Sequence, residues 1–380
     1  MESFICPRCG NKKERYIGYK NGKPYCRLCI SMKGEMAKEN IPSKYYPVLS
    51  LHYDLSPEQK KISDKIISNF KSGIDTLVYA VCGAGKTELI FGVIQYALTK
   101  KMNVGFAIPR RDVCIELFHR VKEAFPHNKV VSVYGGHTSE LNGDIIVLTT
   151  HQLFRYPEFF DLLILDEIDA FPYNGNTLLN SMFKKSLKGH SILMSATPSE
   201  EILSLYRKGK REILELNTRF HKHPLPVPKI VIKKGILRLI SLIKYLKLFN
   251  KENKPVFVFV PTIEMAENLF SILRIFCKGG NIVHSKQIFR QKIIENFREN
   301  KYKYLVTTAV LERGVTIKNL QVIIYNSDHC LYNEYSLVQI AGRVGRKFDA
   351  PKGEVIFLAS KETKDMRKAR EKIISKNNFL

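Results

Sequence analysis

The run TLVYAVCGAGKTELI, residues 76–90, decides the fold. Residues of high strand propensity lead into a glycine-bearing turn, and a helix-forming segment follows at once. A strand, a tight loop and a helix in that order open a βαβ unit, so a parallel sheet covered by helices is expected. Within Ala80–Ile90 the turn lets consecutive backbone N–H groups face an anion, and the helix adds the positive end of its dipole. Gly83, Ala84 and Gly85 shape a cradle for phosphates, Lys86 reaches the β- and γ-phosphates, and the Thr87 hydroxyl binds Mg²⁺. Ala80 stands where the common pattern has glycine, so the strict expression is missed while its strand–loop–helix context is kept.

Outward from this loop the same alternation continues. The short apolar runs NVGFAI, KVVSV, DIIVLTT, LLILD and SILMS are separated by amphipathic stretches such as Thr87–Lys100 and Asp112–Ala124. A stretch of linker composition, RFHKHPLPVPK at 219–229, interrupts the pattern. It resumes with PVFVFV, NIVH, YLVTT, VIIYN and EVIFL, separated by helical stretches at 262–276, 286–299 and 335–341, and closes on a basic helix at Glu362–Lys376. The expected class is α/β, with two tandem parallel-sheet lobes at 47–218 and 230–380 behind a small N-terminal module at 1–46.

Further motifs carry chemistry. LLILDEIDAF (162–171) is an apolar strand ending in acids, which puts Asp166 at the carboxyl edge of the sheet beside the phosphate loop. Asp166 would hold Mg²⁺ through water, and Glu167 would orient and deprotonate an attacking water. After another buried strand, Ser195, Ala196 and Thr197 of SILMSATPS can hydrogen-bond the acidic cluster or simply cap a turn before Pro198. In QIAGRVGR (339–346), Arg343 and Arg346 suit an arginine-finger role on the transferring phosphate, or a purely structural pair. Gln59 of LSPEQKK (55–61) is placed to read adenine by its amide, and equally to close a capping box with Ser56 ahead of Pro57.

Taken in order, GAGKT, DEID, SAT, TTAVLERGVTI and QIAGRVGR resemble motifs I, II, III, V and VI of superfamily 2 helicases over residues 55–360. The resemblance implies two RecA-like lobes that close on ATP, with nucleic acid bound across both. It adds Gly314 of motif V to the nucleotide-binding set. IPRRD (108–112), YGGH (134–137) and TTHQLFR (149–155) look like the family's strand-contacting segments in the first lobe. Pro261–Thr262, His284–Ser285 and Thr307–Thr308 take the matching places in the second. DEIDAFPY, PRRDVC, LERGVT and the N-terminal cysteines look, more narrowly, like the ComFA family of DNA-uptake ATPases. PriA-like replication-restart helicases resemble the motor, but are longer and carry zinc sites in the C-terminal half.

That N-terminal module reads Cys6-Pro-Arg-Cys9, sixteen residues, then Cys26-Arg-Leu-Cys29. Two knuckles of this spacing supply four thiolates to a tetrahedral Zn²⁺ in a closed, structural site. An iron–sulfur cluster is the rival and generally uses other spacings. Lys12, Lys13, Arg15, Lys20, Lys23 and Arg27 interleave with Tyr16, Tyr19 and Tyr25, a composition suited to single-stranded nucleic acid or to a partner protein. Cys82, Cys114, Cys277 and Cys330 show no pairing pattern and read as ordinary buried thiols.

The bulk composition agrees with a polyanion as partner. Lys and Arg number 61 against 36 Asp and Glu, a net charge of +25, and such a field draws nucleic acid or anionic membrane. An apolar fraction of 44% argues against wholesale disorder. No apolar run is long enough to span a bilayer and no signal peptide is evident, so a cytoplasmic location with reduced thiols is expected. The expected cofactors are ATP, Mg²⁺ and Zn²⁺. The leading expectation is a motor stimulated by single-stranded DNA, driving DNA uptake. Unwinding in replication restart is the second, and a nucleotide-gated adaptor with little turnover the third. The ComFA resemblance further implies a place at the cytoplasmic face of the membrane, a ComFC-type partner, the membrane DNA channel and possible homo-oligomers.

Overall fold

A computed structural model describes residues 4–38, 46–51, 54–81, 83–219, 223–312, 315–347 and 349–378. Gly314 and Cys82 lie outside the described residues. The chain divides into two compact units: Met1–Val81 with Gly85–Leu216, and Cys82–Ala84 with Asn217–Leu380.

The first unit begins with a hairpin, β1 (Ile17–Lys20) against β2 (Lys23–Cys26), paired antiparallel. Asn21 and Gly22 both take positive φ in its two-residue turn, as a right-twisted hairpin requires. Next comes α1 (Pro57–Lys71), started by Ser56 and Gln59 in a reciprocal capping box with proline in the first turn. The lobe proper follows: β3 (Asp75–Ala80), α2 (Lys86–Leu89), α3 (Phe91–Thr99), β4 (Val104–Ile108), α4 (Arg111–Ala124), β5 (Val130–Val133) and β6 (Ile145–Thr149). It continues with β7 (Phe160–Leu165), α5 (Thr177–Ser186), β8 (Leu187–Ser195), α6 (Glu200–Tyr206) and β9 (Arg211–Leu216). The strands form one parallel sheet in the order β5-β6-β4-β7-β8-β3-β9. β4 and β6 are buried at all five positions, the pattern of strands covered on both faces.

The second unit contains β10 (Lys229–Ile232), α7 (Gly235–Lys251), β11 (Val256–Phe259), α8 (Ile263–Phe276), β12 (Gly280–Val283) and α9 (Arg290–Arg298). Then come β13 (Tyr304–Thr307), β14 (Gln321–Tyr325), α10 (Glu334–Ala341), β15 (Val355–Ala359) and α11 (Lys364–Asn377). Its parallel sheet has the order β10-β15-β14-β11-β13-β12. Asn377 pins the stretch before β10, donating to the Leu225 carbonyl at 2.9 Å and accepting from the Leu225 N–H at 2.8 Å.

Two tandem parallel-sheet lobes are what the alternation predicts, and every expected strand is present. β9, β10 and α7 go beyond it. REILEL and KIVI lie at sheet edges, half exposed, so they lack the unbroken apolar run that marks a central strand. In α7, Ile236, Leu237, Ile240 and Leu248 are exposed while Leu242, Leu246 and Phe249 are buried, so apolar residues surround the helix and blur its period. The stretch Thr87–Lys100 is two helices with a break at Ile90. Among the described residues, no helix is long and apolar enough to cross a membrane.

Candidate active site and nucleic-acid interface

In the first lobe the motif-bearing segments leave the carboxyl edge of one sheet, and they sort by strand. The phosphate loop follows β3, the acids follow β7, and Ser195–Thr197 follow β8; these three strands are neighbours, in the order β7-β8-β3. IPRRD follows β4, YGGH follows β5 and TTHQLFR follows β6, neighbours in the order β5-β6-β4. In open parallel sheets ligands bind beyond the carboxyl ends of the strands. One edge therefore offers two adjoining half-sites.

In the half expected to hold nucleotide, Gly83 (φ 85°) and Gly85 (φ 74°) take the left-handed backbone that glycine tolerates, and Gly85 caps α2. Lys86 opens that helix, and Thr87 is buried behind it. Asp166 is buried, and desolvation pushes its carboxyl up to about 6. The Lys86 ammonium opposes that rise, whereas Glu167 and Asp169 reinforce it. Lys86 and the acid cluster therefore share one electrostatic neighbourhood, which suits a divalent cation. Glu167 has φ 57°, left-handed for a residue with a side chain, and its N–H donates to Asp166 Oδ1 at 2.8 Å. Strain of this kind gathers at functional sites.

The sequence left the role of Ser195 and Thr197 open, and the structure settles their partner. Ser195 Oγ donates to Asp169 Oδ1 at 2.7 Å and Thr197 Oγ1 donates to Asp169 Oδ2 at 2.8 Å. The Thr197 N–H also donates to Ser195 Oγ at 2.9 Å. The fourth residue of DEID thus ties the acid turn to the end of β8, a role that sequence reasoning had not given to Asp169.

Gln59 closes the capping box with Ser56 and lies beside the phosphate loop. Its Oε1 accepts from the Ser56 N–H at 2.9 Å, and its Nε2 lies so near Gly85 that a Cβ there would come within 2.6 Å of it.

In the other half, two of the three segments meet. The Arg111 guanidinium lies 5.0 Å from the Tyr134 ring centre, and that ring stacks on His137 at 4.9 Å. Gly135 and Gly136 face open space. The third segment is a 3-10 helix, Thr150–Arg155, whose Thr150 and Arg155 are buried.

In the second lobe, Pro261–Thr262, His284–Ser285 and Thr307–Thr308 lie at the carboxyl ends of the neighbouring strands β11, β12 and β13. Several of these side chains already have local work. Thr262 caps α8, and the fully buried Thr307 hydroxyl donates to Val283 O at 2.8 Å. The two arginines after α10 are not equivalent. Arg343 is 2% exposed, with Nε donating to Glu312 O at 2.6 Å and Nη1 to Val315 O at 2.9 Å. Its guanidinium fastens the motif V turn to the end of α10. Arg346 is only partly buried, with Nε on Gly342 O at 2.9 Å.

Sequence reasoning missed Arg219, read only as linker. It is 2% exposed, and its Nη1 donates to Gly345 O at 2.7 Å and Val344 O at 3.0 Å, holding the turn that carries Arg346.

At the N-terminus, Cys6, Cys9, Cys26 and Cys29 are buried, and their Sγ atoms all lie within 4.8 Å of one another. Cys6 and Cys29 approach to 3.5 Å, Cys9 and Cys26 to 3.7 Å. Four thiolates around one zinc at about 2.3 Å would stand at similar mutual distances, so the set fits that metal. Burial pushes the Cys29 thiol well up, and a bound dication offsets such a cost by stabilising thiolate. Cys114 and Cys277 are buried thiols as expected, whereas Cys330 is exposed.

A sheet edge bearing a phosphate loop beside paired acids, followed by a second such sheet ending in an arginine turn, defines a nucleic-acid-dependent ATPase of helicase superfamily 2. The chain matches the DEAD/DEAH box helicase family over residues 57–205 and the helicase conserved C-terminal domain over 237–348. Among solved structures it resembles the DEAD-box helicase Mss116 bound to ssRNA and UDP-BeF, with TM-score 0.67 and 20% identity over 86% of this chain and 77% of that one. That likeness identifies the fold as tandem RecA-like lobes. The chain is 34% identical to competence protein ComFA of Bacillus subtilis, over 99% of its own length and 86% of the relative's. It is 32% identical to ComFA of Streptococcus pneumoniae, over 97% and 89%. The protein belongs to the ComFA family.

Proposed function

We propose that this protein is an ATP-driven motor that moves along single-stranded DNA and drives DNA uptake in competence. The observation that carries the reading is the division of the first sheet's carboxyl edge into adjoining half-sites. A change of nucleotide state at one half is then one strand away from the segments that grip the track. The near full-length likeness to ComFA supports the biological setting.

On this reading the loop from Gly83 to Thr87 cradles the triphosphate, and Lys86 neutralises its β- and γ-phosphates. Thr87 and Asp166 hold Mg²⁺, which would supply charge neutralisation at the transferring phosphate. Glu167 orients and deprotonates the attacking water. Arg346 stabilises developing negative charge when the lobes close on ATP, and Arg343 keeps its turn and motif V in register. Gln59 reads adenine by its side-chain amide. Gly314 of motif V completes the nucleotide set from outside the described residues. The four thiolates hold a structural Zn²⁺. The strand is gripped by phosphate contacts that give affinity without reading sequence. A ComFC-type protein, the DNA channel at the cytoplasmic face of the membrane and further copies of the chain are the proposed partners.

The test is ATP turnover titrated with single-stranded DNA, duplex DNA and RNA. Stimulation by single-stranded DNA supports the proposal. Separation of forked DNA at low enzyme concentration would favour a PriA-like restart helicase. Negligible turnover with every nucleic acid would leave only a nucleotide-gated clamp.

A further inference from the structure

The four-cysteine module does not hang free of the first lobe. Its cysteines are part of the same buried cluster as Leu153, Phe154 and Tyr156, with Phe4, Leu28, Met32 and Ala37 packed against it. A strap, residues 30–38, runs from the second knuckle onto the 3-10 helix Thr150–Arg155. At the module end, the Met32 N–H donates to Cys29 O at 3.0 Å and Arg8 Nη1 donates to Met32 O at 2.7 Å. At the lobe end, Arg155 holds the strap twice. Its Nη1 donates to Glu35 O at 2.6 Å, and its own carbonyl accepts the Ala37 N–H at 2.8 Å. Arg155 Nε donates to Gln152 Oε1 at 2.7 Å, so the same side chain also sets the turn that holds His151. Asn142 Nδ2 adds a bond to Lys38 O at 2.8 Å.

Gly34 marks how close this fit is. It has φ +139°, and a Cβ there would fall 2.2–2.6 Å from the Arg155 guanidinium. Arg155 is 6% exposed. Its charge is spent on the strap and is not offered to a phosphate.

We propose that Arg155 and the strap link metal loading of the module to the grip of the first lobe on single-stranded DNA, with Arg155 as a positioning residue. The inference rests on the reading that residues 149–155 contact the strand. Two sites that bias one element must do so reciprocally: zinc tightens strand binding, and strand tightens zinc binding by the same factor. Couplings of this kind generally span about 5–150-fold.

The experiment uses the zinc-loaded full chain, a chromophoric chelator and fluorescein-labelled oligodeoxythymidylate. In the wild type, saturating oligonucleotide raises zinc affinity in competition with the chelator about fivefold or more, and zinc removal weakens oligonucleotide binding by the same factor. Arg155→Ala and Gly34→Ala each start with zinc bound but lose both effects. Gly34→Ala pushes the strap and the Arg155 guanidinium apart while keeping every side chain of the lobe, so it carries the test should Arg155→Ala fail to fold. Equal zinc affinities with and without oligonucleotide in the wild type overturn the linkage. Full coupling in Gly34→Ala overturns its route through Arg155. His151→Ala separates the underlying reading: if it leaves oligonucleotide affinity unchanged, residues 149–155 are not the gripping segment, and the inference falls with that reading.

Discussion

The Arg219 guanidinium donates to the Gly345 carbonyl oxygen at 2.7 Å, so a residue three positions beyond β9 holds the turn that presents Arg346. Gly345 itself has φ 68°, and a Cβ on it would meet Pro351 O at 2.2 Å, which leaves the turn little freedom. Misplacing a charge-stabilising group by about 1 Å can cost on the order of a hundredfold in rate. Arg219→Ala is therefore expected to lower kcat about tenfold to a hundredfold with little change in KM for ATP. Combined with Arg346→Ala it should add almost nothing, because both act through one guanidinium. Steady-state kinetics of the two single variants and the double variant check this; additive losses would refute it.

The phosphate and acid residues give the plainest expectation. Lys86→Ala and Glu167→Gln should each reduce turnover by at least about a hundredfold, the usual scale for a lost catalytic group. Oligonucleotide affinity should survive, because the strand segments leave different strands. Turnover assays with parallel fluorescence anisotropy measure both quantities.

Asp169 accepts two hydroxyl donors, and removing either takes a hydrogen bond away from a charged carboxylate. Thr197→Ala should cost about 1–3 kcal/mol in stability. It should blunt stimulation of turnover by single-stranded DNA more than basal turnover, since the bonds join the acid turn to β8. Equal loss of basal and stimulated rates would reduce Asp169 to a purely structural role.

Gln59 offers a clean separation of two functions in one side chain. Gln59→Glu keeps the oxygen that accepts from the Ser56 N–H but removes the amide donor. Helix stability should change by less than about 1 kcal/mol, since glutamate also closes capping boxes. Preference for ATP over GTP should fall. Thermal unfolding and nucleotide competition decide it, and unaltered preference would leave only the cap.

Replacing Cys6 and Cys9 with Ser should abolish zinc content. Because those thiols share a core with the first lobe, the loss should lower that lobe's Tm by at least about 4 °C, the equivalent of roughly 1–2 kcal/mol. Calorimetry with metal analysis tests it, and metal content equal to wild type would refute the ligand set.

What the sequence revealed and what it hid follow from distance along the chain. The phosphate loop, DEID, Ser195–Thr197 and the cysteine knuckles are contiguous or regularly spaced, so chemistry can be read from neighbouring letters. The Asn21–Gly22 turn is equally local, but its flanking strands IGYK and KPYC are short and half exposed, without the apolar run that marks a buried strand. Arg155 and Arg219 find partners 120 and 126 residues away, and their carbonyl acceptors have no residue-specific signature. Arg343 shows the same limit from the other side. GRVGR displays two guanidinium groups, and only folding reveals that Glu312 and Val315 occupy one of them.

β4 and β7 are the strands of the first sheet at which the half-sites meet, and β4 has β6 on one flank and β7 on the other. All five residues of β4 are buried, so it cannot yield at its surface without disturbing both flanks. A subtle volume change there, such as Ala107→Gly, touches neither fuel nor track, yet it is the place to look for a protein that burns ATP and stalls.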